Sequence, residues 1–295
     1  MEGSKYARMY QWLFKLNDTG ETRLEPMRLS RPTTDCLPCW TNCRKHVGCP
    51  MLQIFSLKLT NLPAAAAGPI QLYGFVVVRD LLDPLRNYVF NRTRDDPFII
   101  QDMHSDPFIY LSGPKRGVYL QSDVLIEYDV MIKRGEEEHE DMPLIDGVAI
   151  FSQPMWSQGA VTNRIKGHHG AAVDISRALF PTAVEATVQV WIAEVAELDG
   201  DGNGGIDLSI TGSISRITGE MKLFHGFIHK PCDLSRFVIA VSSTGYLFLN
   251  FQVPGGSDNY LNLFAFRATA HGCISDRRKL DFATVEVKVT WSSLH

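Results

Sequence analysis

The chain has 295 residues, and 29 Lys+Arg against 33 Asp+Glu leave a net charge of −4. That length allows one large domain or two small ones, the 45% apolar content supplies a sizeable core, and the dispersed 21% of charged residues argues against wholesale disorder. The mild acidity excludes a global electrostatic footprint for nucleic acid, leaving only a local patch, and no apolar run reaches the ~18 residues of a membrane span.

Met1 to Asn17 has Lys5, Arg8 and Lys15 scattered through it and lacks the continuous apolar stretch of a signal peptide. The expected compartment is therefore the cytoplasm, with the nucleus as the alternative. Tyr6, Met9, Tyr10, Leu13 and Phe14 fall at helical spacing, a stripe that either docks a short helix or belongs to a frayed tail. Residues 18–50 are rich in Thr, Arg, Pro and Cys without periodicity and read as an irregular arm. Four of the six cysteines lie there: Cys36, Cys39, Cys43 and Cys49, with His46 among them. In a reducing compartment such a cluster reads as free or redox-active thiols or as a zinc site, with disulfides as the third reading.

From Met51 onward the pattern is that of strands. Met51, Phe55, Leu57 and Leu59 line one face, and Ile70–Val78 is a second strand rich in aromatic and β-branched residues. Arg86, Arg92 and Arg94 follow, interleaved with Tyr88 and Phe90, and Lys115 and Arg116 sit in the Gly113–Gly117 turn. Basic groups among aromatics suit RNA or a phosphate. The competing reading is local pairing with Asp80, Asp83, Asp95 and Asp96, which would order a long loop. The strongest alternation runs over Asp123–Lys133, and the acidic run Gly135–Asp141 after it reads as a solvated loop, with a site for a cation or a basic partner as the alternative.

A helical turn is expected near Asp174–Leu179, then a strand over Ala183–Val195. Asp199, Asp201, Asn203 and Asp207 match the oxygen positions of a calcium loop, with Gly204 at its sixth position. Ile210 stands where a bidentate Glu is required, and strands flank the segment, so a flexible hairpin connection is the alternative. His225 and His229, near Cys232, would converge on one ion only on a helix, and Met221–Ile228 reads as a strand, where positions four apart are roughly 13 Å from each other. Phe237–Ser242 and Tyr246–Gln252 flank Ser243-Thr244-Gly245, a hairpin turn, and Phe282–Trp291 is the last strand. There is no G-x-S-x-G, no H-E-x-x-H and no phosphate loop.

MLQIFSLKL at Met51–Leu59, YGFVVVRD at Tyr73–Asp80, DPLRNYVFNRTRDDPF at Asp83–Phe98, SGPKRGVYL at Ser112–Leu120, VLIEYDVMIK at Val124–Lys133 and PLIDGVAIF at Pro143–Phe151 occur in this order. Together with TAVEATVQV at Thr182–Val190, they resemble the domain-of-unknown-function 6598 family of grasses. The resemblance implies a β-rich domain without established activity. Some relatives carry it beside a ribosome-inactivating N-glycosylase domain, which implies a stress or defence setting. The catalytic Glu-x-x-Arg of that partner is missing here: Glu194 and Glu197 have no Arg three positions on.

The expectation is an all-β, mainly antiparallel sandwich or barrel over 51–295, behind a Cys-rich arm over 1–50. Its expected role is a non-enzymatic binding or interaction domain with a protein partner. The alternatives are an RNA- or ribosome-associated factor, and a hydrolase whose site is assembled from distant strands. No cofactor is expected beyond the zinc and calcium readings above.

Overall fold

The structure is a computed structural model and describes residues 11, 13–17, 20, 46–62, 69–152, 159–196, 205–256 and 260–294. Strands are the dominant element of these residues and pair antiparallel in open sheets, so the all-β expectation holds as sheets rather than as a closed barrel. Among the described residues no helix is long and apolar enough to cross a membrane. The chain divides into two compact units: Met1–Pro26 with Leu52–Leu179, and Met27–Met51 with Phe180–His295.

The first unit begins, after the opening residues of β1 (Cys49–Asn61), with β2 (Ile70–Arg79), β3 (Asn87–Arg92), β4 (Phe98–Ile100), β5 (Phe108–Ile109) and β6 (Val118–Tyr119). It continues through β7 (Asp123–Ile132), β8 (Met142–Ser152), β9 (Val161–Lys166) and the start of β10 (Ala172–Val195). Its main sheet runs β3-β2-β7-β8, with β4 also on β2, while β5 and β6 pair with β1 and β9 with β10. One hydrophobic cluster, from Leu52 to Ile175, draws on all ten of these strands. Alternation explains most of it: Val124, Ile126, Val130 and Ile132 of β7 all point into the core. Leu125 and Glu127 on the opposite face are buried too. That half of the strand is covered on both sides, for a reason that lies in the ion pairs described below.

The helical turn expected near Asp174–Leu179 is a strand instead. β10 pairs with β9 residue by residue from Ala172↔Lys166 to Arg177↔Val161. The inward Val173 and Ile175 alternate with the outward Asp174 and Ser176, a period of two that overrides the local helical composition.

The second unit holds the rest of β10, then β11 (Ile206–Ile214), β12 (Glu220–Ile228), β13 (Cys232–Asp233), β14 (Phe237–Ser242), β15 (Tyr246–Gln252), β16 (Leu263–Arg267), β17 (Gly272–Lys279) and β18 (Ala283–Ser292). β10 carries β18, β14 and β13, and β17 closes the outer side of β18. A four-stranded sheet, β12-β11-β15-β16, stands apart. The hairpin expected at Ser243-Thr244-Gly245 has its turn, closed by Gly245 N–H donating to Ser242 O at 2.8 Å. Its two strands nevertheless go to different sheets. β14 stays on β10, where Ser243 N–H donates to Thr182 O. Tyr246 N–H donates to the Ser215 hydroxyl, so β15 leaves with β11.

Candidate functional site

The arginines singled out in the sequence lie in the first unit, and their guanidinium groups meet carboxylates of the same chain. Arg86 donates from Nη2 to Glu127 at 3.1 Å and lies over the Phe75 ring at 4.3 Å. Glu127 also accepts from Arg79 Nε, and Arg79 Nη1 donates to the carbonyls of Phe14, Lys15 and Pro84. Phe14, from the helical-spacing stripe near the N-terminus, is itself buried. Arg116 grips Asp80 with both terminal nitrogens, at 2.6 and 2.8 Å, and also donates to the carbonyls of Gly117 and Asp83. Asp80 accepts in addition from the amides of Leu82, Asp83 and Tyr119. Hydrogen-bonded through most of their polar atoms, these buried charges fix the path of residues 79–87. Arg92 pairs with Asp96 at the surface, and the Lys115 amide donates to Asn87 Oδ1. The structure thus brings Arg86 to Glu127 and Arg116 to Asp80, while Arg92 and Arg94 stand with other partners.

Arg94 belongs to another cluster. Asp141 accepts from Arg94 Nε at 2.7 Å, from the Tyr73 hydroxyl at 2.6 Å and from the Arg134 amide at 2.7 Å. Burial pushes this carboxyl up, but the three donors, Arg94 first, outweigh it and hold it down at about 2. Burial, reinforced by the bond to Asp141, pushes the Tyr73 phenol up to about 12. A carboxylate depressed from ~3.9 in the unfolded chain stabilises the fold fully above pH 4 and loses that contribution as pH falls through 2. The contribution is about 2 kcal/mol. Asp141→Asn is expected to remove this acid-dependent part, read as a flatter plot of urea midpoint against pH between 4 and 2. An unchanged slope would refute the assignment.

The second unit carries a cleft of about 820 Å³ on the outward face of its four-stranded sheet, a size that takes a small ligand. In β11, Ile206, Leu208 and Ile210 point inward, while Asp207 and Ser209 point out into the cleft. Cross-strand register sets Phe227 opposite Asp207, and His225 and Gln252 opposite Ser209. His225 Nε2 lies 2.9 Å from Asp207 Oδ1, a diagonal pair across the two strands. Phe227 is 65% exposed and stacks on His229 at 5.8 Å and 21°. Gly205 leaves room for that imidazole, since a Cβ there would lie 2.5 Å from His229 Nδ1. Val253–Gly256, Asn262, Asp281 and Phe282 form the remaining wall.

The sequence reading missed Ser209, Phe227, Gln252 and Asn262 as site residues. The alternation of β11 marks two of the outward positions, but the side of the sheet left uncovered is a tertiary fact. Asp207, proposed from the calcium pattern, is engaged with His225, while Asp199, Asp201 and Asn203 lie outside the described residues. Cys36, Cys39 and Cys43 also lie outside them. Of that expected zinc set, Cys49 is a buried thiol at the start of β1, and His46 packs its ring on His271 at 4.5 Å. Among the described residues there is no group of three or more His, Cys, Asp or Glu placed to hold a metal. His225 and His229 serve different neighbours, as strand geometry predicts.

The fold and the cleft define a class: an all-β protein of open antiparallel sheets, with a cleft of polar and aromatic side chains on one sheet face. The chain belongs to the family described as Domain of unknown function (DUF6598), whose model matches residues 51–290. No curated protein matches it. Among solved structures it is similar to human GIVD cytosolic phospholipase A2 at 8% identity, covering 82% of this chain and 32% of that one, with a TM-score of 0.27. It is also similar to Extended-Synaptotagmin 2, in a structure of its SMP and C2 domains, at 7% identity, covering 83% and 58%, with a TM-score of 0.28. The chain spans about a third of the length of the phospholipase. Likenesses this distant carry no functional argument.

Proposed function

We propose that the chain is a binding module and that its ligand is a polyhydroxylated small molecule or saccharide end held in the cleft of the second unit. The observation that supports this is the exposed Phe227 ring among hydrogen-bonding groups: Ser209, Gln252, Asn262 and the Asp207–His225 pair. A sugar presents a C–H face that lies on an aromatic ring and hydroxyls that both donate and accept. Asp207 accepts, Gln252 and Asn262 do both, and His225 offers ring nitrogens that donate or accept. The plant stress or defence setting implied by the family resemblance belongs to the same proposal. The RNA reading has less support, because Arg86, Arg92, Arg94 and Arg116 are already paired with carboxylates.

The test is a screen of mono- and oligosaccharides by ligand-observed NMR with the full chain, followed by calorimetry on any binder. Phe227→Ala and Asp207→Ala are each expected to weaken binding at least ~10-fold, or about 1.4 kcal/mol. Phe227 is exposed enough for its substitution to leave stability within ~0.5 kcal/mol. A screen without a binder, or binding indifferent to both substitutions, would overturn the reading. Slow turnover of the bound molecule that vanishes in Ser209→Ala would replace it with hydrolysis, because Ser209 stands directly opposite His225.

A further inference from the structure

The first unit contains a buried cation that no carboxylate among the described residues answers. Arg177 lies in the inward row of β10 with Val173 and Ile175, both members of the hydrophobic cluster, and is only 7% exposed. The other deeply buried arginines described in this unit are matched, Arg79 and Arg86 by Glu127 and Arg116 by Asp80. For Arg177, the described residues supply no acceptor, and its Nε is buried without one. The Phe151 ring lies against the guanidinium, at 4.0 Å. A cation–π contact offsets part of the cost of burying a charge but does not satisfy N–H groups. Burial accordingly holds the guanidinium below its ordinary pKa.

A second orphan stands beside it. Arg177 is opposite Val161 on β9, and Asn163 is opposite Ile175, so Arg177 and Asn163 are diagonal neighbours on one face of the pair. The Asn163 Oδ1 is also buried and receives no hydrogen bond from the described residues. An unmet donor and an unmet acceptor thus stand on one face of the strand pair, in diagonal register, at the end of an apolar row. One group satisfies both when its charged oxygens accept from the guanidinium and its hydroxyl donates to the amide oxygen.

We propose that Arg177, Asn163 and Phe151 form a binding site for a small oxyanion that carries a hydroxyl group, the chemistry shared by hydrogen phosphate and a 2-hydroxy carboxylate. Phe151 holds the guanidinium plane, Arg177 takes the anionic oxygens in its fork, and Asn163 selects for the hydroxyl. A plain carboxylate meets only half of this, and chloride lacks the geometry.

The experiment is the melting temperature of the full chain titrated with inorganic phosphate, glycolate, acetate and chloride at constant ionic strength. A bound ligand raises the melting temperature in proportion to the logarithm of its concentration above Kd. Phosphate or glycolate is expected to do so, acetate more weakly, and chloride not at all. A larger response to phosphate assigns the site to a phosphate ester, and a larger response to glycolate assigns it to a hydroxy acid. Arg177→Met is expected to abolish the response while melting no lower than the unsubstituted chain without ligand, because an apolar side chain removes the unanswered charge. Arg177→Lys keeps the charge without the fork and is expected to raise the apparent Kd at least ~10-fold, which keeps the test open if the Met variant fails to fold. Equal responses to all four anions, or a response that survives both substitutions, would overturn the site.

Discussion

Glu127→Ala is expected to lower the unfolding free energy by about 3–5 kcal/mol, the largest effect of any single charge removal in the first unit. Glu127 has no solvent exposure and accepts from both Arg79 and Arg86. Without it, Arg79 keeps its three carbonyl acceptors but loses its counter-charge. Arg86 keeps little beyond the face of Phe75. The penalty is that of two buried cations that have lost their shared carboxylate, which is greater than the net worth of either pair. Glu127→Gln retains an acceptor oxygen and is expected to lose less. The measurement is a shift in urea midpoint at unchanged slope. A loss under about 1 kcal/mol for the Ala variant would show that water reaches these groups once the carboxylate is gone.

Trp291→Ala is expected to produce the matching loss in the second unit, about 3–5 kcal/mol. Trp291 is 1% exposed on β18. Its direct neighbours in the sheet are Ala186 on β10 and Gly272 on β17, both too small to share the space. Removing the indole leaves a hole that they cannot fill, so the cavity term adds to the lost burial. Trp291→Phe is expected to retain more than half of the stability lost by the Ala variant. Hydrogen exchange resolved by residue is expected to accelerate along β10, β17 and β18. Protection unchanged in those strands would show that the sheet repacks around the gap.

The strands whose faces differ in polarity were legible in the sequence. β7, β15 and β18 lie where the period of two places them, because each has one apolar face and one mixed face, while β14 shows as a short apolar run before a turn. β3, β8, β9, β16 and β17 were not legible. β3 mixes Asn87, Tyr88, Asn91 and Arg92 with only two core residues, Val89 and Phe90, and its place is set by pairing with β2, which is not visible in so short a pattern. β17 carries Ser275, Asp276, Arg277, Arg278 and Lys279 and is held at an edge by β18. The Arg–Asp reading of residues 79–96 anticipated that pairing would occur. It missed that the principal carboxylate is Glu127, forty-one positions beyond Arg86. The cleft was hidden for the same reason. Its residues come from β11, β12, β15 and two later loops, and only the sheet brings them together.

The order of the units along the chain has a consequence for how the protein is made. Residues 46–51 belong to the second unit, residues 52–179 to the first, and residues from Phe180 onward to the second again. The earlier piece is tied in closely: a Cβ on Gly48 would lie 2.8 Å from Ala183 O, and His46 rests on His271. On the ribosome the first unit therefore has all its strands when Leu179 emerges, while His46–Met51 must wait for partners more than a hundred residues downstream. The inner unit is born complete. The outer one closes only when His271 and β18 arrive, so a pause in translation between the two leaves Cys49 and its neighbours the last part of the early chain to find shelter.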